Sequence, residues 1–262
     1  MRANTMYDHA SPLNIDDVLA AFPTLSQTQG AETTSDKYVD IPSIEVIRGL
    51  ADNGFALHSV TVSRVRKPER RDFEKHMLRF RKRDGIVTAD GAPEAVLTNS
   101  HDGSSSWALM SGYIRFICGN GLILGSMLKT VRVRHVGSNT LGKVIDGTYT
   151  VLNNLDNVAD RVAAYQARQL TADEVRHFVE TAQRIRLGDA FDKRAADNRL
   201  PMIDYARRHD DASNDLWSVF NRVQENIMRP ARGSRLRTIS GIDNGIKINR
   251  QLFDAADALL AA

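Results

Sequence analysis

The chain is almost without cysteine, and that scarcity excludes a good deal. One thiol, Cys118, serves 262 residues. It cannot close an intramolecular disulfide, and the thiol-poor composition fits a reducing cytosol. No stretch approaches the roughly 18 apolar residues needed to span a bilayer. The opening MRANTMYDHASPLNIDD has no apolar signal core. Glycines occur in GNGLILG, but neither G-x-x-x-x-G-K-[ST] nor G-x-G-x-x-G leading into a helix is present, so the usual phosphate-cradling loops are missing. Internal repeats and low-complexity tracts are also lacking. These absences lead us to expect a soluble cytoplasmic protein with no membrane partner, no metal and no cofactor.

What is present suffices for a folded core. Hydrophobic residues make up 42% of the chain, which argues against wholesale disorder. Its length allows one large domain or two small ones. Net charge is only +3, so the positions of the charges say more than their sum.

The hydrophobic period changes along the chain. Residues 1–40 are polar and read as a loose arm with at most one short helix at NIDDVLAAF. SIEVIRGLADNG (43–54) has helical spacing and an Asn53-Gly54 stop. FALHSVTVSRVR (55–66), FEKHMLRFRKR (73–83), EAVLTNS (94–100), SGYIRFICG (111–119) and TVRVRHVG (130–137) read as strands, with a turn at Asp84-Gly85. Beyond residue 150 the period is helical: LDNVADRVAAYQARQL (155–170), then TADEVRHFVETAQRIRL with a Thr171–Glu174 capping box. DLWSVFNRVQENIM (215–228) and INRQLFDAADALLAA (248–262) complete the set. The expected class is α+β, with an antiparallel or mixed sheet of about five strands. The sheet-rich domain is placed at 41–150 and the helical region at 151–262, with no linker to stop the two sharing a core.

One stretch concentrates reactive residue types: LTNSHDGSSSWALMSGYIRFICGNG, from Leu97 to Gly121. Nucleophilic catalysis would use Cys118, with His101 or His135 as base and Asp102 or Asn120 orienting it. Against this, Cys118 shares a strand face with Ile114 and Phe116, as a small buried hydrophobe would. A metal site from His101, Asp102 and His135 lacks helical ligand spacing and a second cysteine. The plainest reading is a turn, since Asn99, Ser100, Asp102 and Gly103 are the residues that stabilise turns. A turn does not require His101, which must then bond across it or face a ligand.

Charge placement is the second signal. Arg79, Arg81 and Arg83 alternate on one strand, Arg132 and Arg134 on another, and Arg115 lies on a third. If those strands are neighbours they form an arginine-lined face able to track a phosphate backbone, with Tyr113 placed to stack a base. The other reading is a solvated face whose arginines pair with acids of the helical half. RPARGSRLR (229–237), with Arg235 and Arg237 and no acid, is a second candidate clamp, with the same alternative of a solvated run.

Three stretches together, LTNSHDGSSS, IRFICGNGL and RVRHVGS, resemble the phage/plasmid-like protein family catalogued as domain of unknown function 932. Thr98 to Ser104 match its TNSHDGS directly; Cys118 and Asn120 fall in the second element; Arg134, His135 and Gly137 fall in the third, with Val136 where the family has threonine. LTADEVRHFVETA, NDLWSVFNRVQENIMRP and GIKINRQLFDAADAL are similar to its helical half. The likeness covers roughly residues 40–260. It implies a mobile-element origin and no established activity. The order of elements also resembles single-strand-annealing recombinases, an analogy of build alone. The leading expectation is a homo-oligomeric protein that binds single-stranded nucleic acid, with strand annealing as its use. The alternatives are an anti-defence or regulatory protein that binds a host protein, and a hydrolase or transferase built on Cys118 and His101.

Overall fold

In the computed structural model, residues 4–8, 10–65, 67–116, 121–123, 130–137 and 140–261 are described. The chain divides into two compact units, residues 1–122 with 127–158, and 123–126 with 159–262.

The first unit is built on a seven-stranded sheet. Its strands are β1 (Asn4–Tyr7), β2 (Phe55–Val62), β3 (His76–Lys82), β4 (Gly91–Asn99), β5 (Trp107–Arg115), β6 (Gly121–Ile123) and β7 (Thr130–Val133). The order is β1-β2-β3-β4-β5, and β6 and β7 both pair with β5. β1/β2, β2/β3, β3/β4, β4/β5 and β5/β7 are antiparallel. All five strands expected from periodicity are present. The short β1 and β6 carry too few residues for a period to show, which is why the expected number was smaller.

Helices α1 (Ile15–Ala21), α2 (Ser43–Asp52) and α3 (Thr140–Leu152) belong to this unit. Alternation along the strands sends one set of apolar side chains inward. Leu78, Phe80, Leu97, Trp107 and Leu109 pack in one cluster with Val18 of α1, Ile47 of α2 and Val144 of α3. The polar opening is more ordered than an arm: β1 pairs with β2, Asn14 caps α1, and Val18 and Leu25 are fully buried.

The second unit is helical. α4 (Asp156–Ala167) leads into it, followed by α5 (Ala172–Leu187), α6 (Ala190–Ala196), α7 (Leu216–Met228) and α8 (Ile242–Ala261). The expected capping box is present: Thr171 Oγ1 accepts from the Glu174 backbone and Glu174 accepts from the Thr171 backbone. α7 is buried from Leu216 to Ile227, with Trp217 stacked on Phe220. Tyr165, Phe178 and Phe253 complete this aromatic core. The chain is thus α+β, as its periodicity indicates.

Candidate functional site

The TNSHDGS stretch ends β4 and forms the connection to β5. Its turn chemistry is as expected. Asp102 Oδ1 accepts from the Ser104 amide at 2.9 Å, Ser100 Oγ accepts from the Ser105 amide at 3.1 Å, and Gly103 takes φ 71°. The rest of the motif points inward. Asn99, Ser100 and His101 are all 0% exposed.

These side chains meet residues from three other parts of the chain. The Asn99 amide donates to the Ile41 carbonyl at 2.8 Å and to Ser43 Oγ at 3.0 Å. Ser43, the first residue of α2, lies 2.7 Å from His76 Nε2. His76 Nδ1 faces the Glu74 carbonyl at 3.0 Å, so Nδ1 donates and Nε2 accepts the serine proton. His101 Nδ1 donates to Asp40 Oδ1 at 2.7 Å. His135 Nδ1 lies 3.1 Å from the Val39 carbonyl and Nε2 3.0 Å from Asn99 Oδ1, and the neutral ring donates to one of the two. Tyr38 stacks on the His135 ring, and its single hydroxyl proton is shared between Asp40 Oδ1 at 3.2 Å and the Ser100 carbonyl at 3.1 Å.

Burial sets the charge states. His76 has its pKa pushed down to about 3, first by burial and then by His101. Burial also lowers the His135 pKa, opposed by the Val39 carbonyl and Asp40. Burial and then Asp40 raise that of Tyr38.

The order Asp40–His101–Ser43 is that of a serine-nucleophile relay. However, His101 Nε2 is 3.5 Å from Ser43 Oγ, and the hydroxyl proton goes to His76. Ser43, His76 and His101 are each 0% exposed, so a substrate has no approach. Cys118 and Asn120 lie outside the described residues. Among the described residues no group of three or more His, Cys, Asp or Glu could hold a metal ion. The network acts as a polar lock. It ties α2 and the segment before it to β3, β4 and the end of β7, and most of its buried polar atoms find partners within it, Asp40 Oδ2 being an exception.

The arginines divide into two sets. Arg79, Arg81, Arg115 and Tyr113, expected on a binding face, are buried at 7%, 6%, 5% and 2% exposure. This corrects the expected arginine-lined groove. Pairing of Phe80 with Ala95 brings Glu94 beside both arginines; its Oε2 is 2.7 Å from Arg79 Nε and its Oε1 2.9 Å from Arg81 Nε. Arg115 Nε donates to Asp90 at 2.6 Å. The Tyr113 hydroxyl lies 3.2 Å from that of Thr88, and burial of the ring leaves it no face on which to stack a base. By contrast Arg83, Arg132, Arg134, Arg235 and Arg237 are exposed. Among the described residues none of these five has a carboxylate within salt-bridge distance.

The family model described as Domain of unknown function (DUF932) matches residues 31–253. The chain belongs to this family. It is 36% identical to UPF0380 protein YafZ of Escherichia coli K12 over 257 residues, 95% of this chain and 92% of that protein. UPF0380 protein YfjQ of the same organism is 35% identical over the same shares. No solved structure matches. The DUF932 match spans residues of both units, including the buried lock, all five exposed arginines and α7. Sequence reasoning found Asn99, His101 and His135 of the lock, but missed Tyr38, Asp40, Ser43 and His76. The bonds that join Ser43 to His76, Tyr38 to Ser100 and Asp40 to His101 span 33 residues or more, beyond the reach of any local pattern. No helix of the described residues is long and apolar enough to cross a membrane.

Proposed function

We propose that this DUF932 protein binds single-stranded nucleic acid through exposed arginines that no carboxylate neutralises. The observation that carries this reading is the sorting of the arginines. Where a guanidinium of the sheet is buried, an acid meets it: Glu94 for Arg79 and Arg81, Asp90 for Arg115. Where arginine repeats on an exposed strand face, at Arg132 and Arg134 around the end of β7, no acid does. The stretch 229–237 adds Arg232, Arg235 and Arg237, all exposed and without a neighbouring acid in the sequence. Unneutralised arginine releases counterions from phosphate on binding and so favours polyanions. Annealing of complementary strands, suggested by the likeness in build to annealing recombinases, is the activity to assay once binding is established.

The test is binding of a fluorescent single-stranded oligonucleotide across a salt titration, with duplex as the control. Affinity should fall steeply with salt. In the Arg132→Gln/Arg134→Gln double variant the log–log salt slope should shrink by about 1.4, the value for two lost single-strand phosphate contacts. Absence of binding by the wild-type protein at low salt would overturn the reading.

A further inference from the structure

Within the helical unit most partly buried arginines have an acid. Arg161 meets Asp257, Arg168 meets Glu174, Arg208 meets Asp211 and Glu225, and Arg222 meets Asp204. Arg184, in the last turn of α5, reaches Glu180 at 3.0 Å and Asp192 at 3.3 Å.

Arg186, two residues further on, does not follow this pattern. Its side chain is half-buried, and the acceptor it meets is a backbone carbonyl, that of Arg237 at 2.6 Å from Nη2. Its Nε has no acceptor. The charge that acts on it is of the same sign: burial first, and then Arg194, lower the Arg186 pKa. Among the described residues Arg194 itself has no carboxylate partner.

The local fold creates this crowding. Gly188, at φ 55°, closes α5 with its amide on the Arg184 carbonyl at 2.8 Å, and the chain turns at once into α6. The basic last turns of both helices, Arg184 and Arg186 on one and Lys193 and Arg194 on the other, are thereby brought into one neighbourhood. The Arg186–Arg237 bond fastens the acid-free stretch 229–237 to the same place. Arg186 and Arg194 thus share one neighbourhood, with the backbone of Arg237 fastened to it, where Arg184 already takes up Glu180 and Asp192.

We propose that Arg186, Arg194 and Arg237 form a seat for a phosphate group. This rests on the nucleic-acid reading in one respect: the phosphate intended is one of the backbone of a bound single strand. Arginine's planar fork suits two-point contact with phosphate oxygens, and an anion there relieves the repulsion between like charges. The competing explanation is purely local, cations placed to complement helix C-termini. It predicts effects on stability and none on binding.

The experiment measures two things on the full chain: affinity for a fluorescent oligothymidine across salt, and thermal stability with added inorganic phosphate against equal chloride. Arg186→Gln and Arg194→Gln are compared with wild type. Among the described residues Arg194 makes no side-chain hydrogen bond that its loss would break, so it serves where Arg186→Gln loosens the 229–237 stretch. We expect each variant to bind five- to tenfold more weakly at low salt, with the salt slope smaller by about 0.7. Oligonucleotide binding that is unchanged in both variants overturns the seat and leaves the nucleic-acid reading standing. Stabilisation by phosphate that both variants lose, with no oligonucleotide binding by wild type, overturns the nucleic-acid reading and upholds the seat for a free phosphate.

Discussion

The turn after β4 and the stretch 229–237 look equally functional as sequence, and the fold treats them in opposite ways. The turn holds His101, Asp102 and several serines, and it buries Ser100, His101 and Asp102, with His101 against Asp40, Ser43 and His76. The basic stretch holds Arg232, Arg235 and Arg237, and it leaves them in water. The difference teaches what to look for. Reactive residue types that meet their own partners are structural, because each hydrogen bond they form is one they do not offer a ligand. Charges left unmet are the better pointer to a binding surface.

The comparison is most easily broken at Asn99. Asn99→Leu keeps the volume but leaves the Ile41 carbonyl and Ser43 without their donor and removes the acceptor facing His135. A loss of about 3–5 kcal/mol is expected by urea unfolding. A variant within 1 kcal/mol of wild type, by the scale of ordinary surface changes, would mean that the motif is not a lock. Glu94→Gln strikes the buried arginines, removing the one carboxylate Arg79 and Arg81 share; a loss of about 3 kcal/mol should appear in the same measurement.

Acid sharpens the contrast. His76 binds its proton near the ordinary histidine pKa when unfolded but not until about pH 3 when folded. Falling pH therefore favours the unfolded chain, and stability present above pH 6.5 is lost between there and pH 3. By pH 5 the loss from His76 alone should be about 2 kcal/mol, and His135 acts in the same direction. Unfolding curves of wild type and His76→Gln across this range should converge as pH falls; parallel curves would place the acid sensitivity elsewhere.

The exposed set should behave in the opposite sense. Arg132→Gln/Arg134→Gln is expected to weaken oligonucleotide binding about tenfold with the melting temperature unchanged, as for contacts made only with phosphate. The smallest effect belongs to Tyr113→Phe. Loss of the hydroxyl contact with Thr88 should cost about 1 kcal/mol of stability and leave nucleic-acid binding untouched. A marked binding defect there would return Tyr113 to the surface role its strand position suggested.

Local pattern accounts for most of the elements and for few of the partners. The period-two runs marked β2 to β5 and β7, and the capping box marked the start of α5, because each signal lies within a few residues. Alternation also placed Val131 and Val133 opposite Arg132 and Arg134. The same alternation put Arg79 and Arg81 on one face but could not tell that Glu94 of the next strand shares it. That depends on register, which is set by pairing rather than by composition. α3 and α6 went unseen: α3 carries Gly142 and Gly147 and β-branched residues that weaken a helical signature, and α6 has only seven residues.

The lock also orders events in time. Its bonds join Ser43 to His76, Asp40 to His101, and Val39 to His135 across 33, 61 and 96 residues. Contacts that close such long loops form late, after the sheet that carries them has found its register. On the ribosome the segment around Asp40 emerges long before its last partner. Until residue 135 is clear of the exit, the Val39 carbonyl and Asn99 Oδ1 lack the imidazole that packs between them, and this corner of the nascent first unit stays open to water.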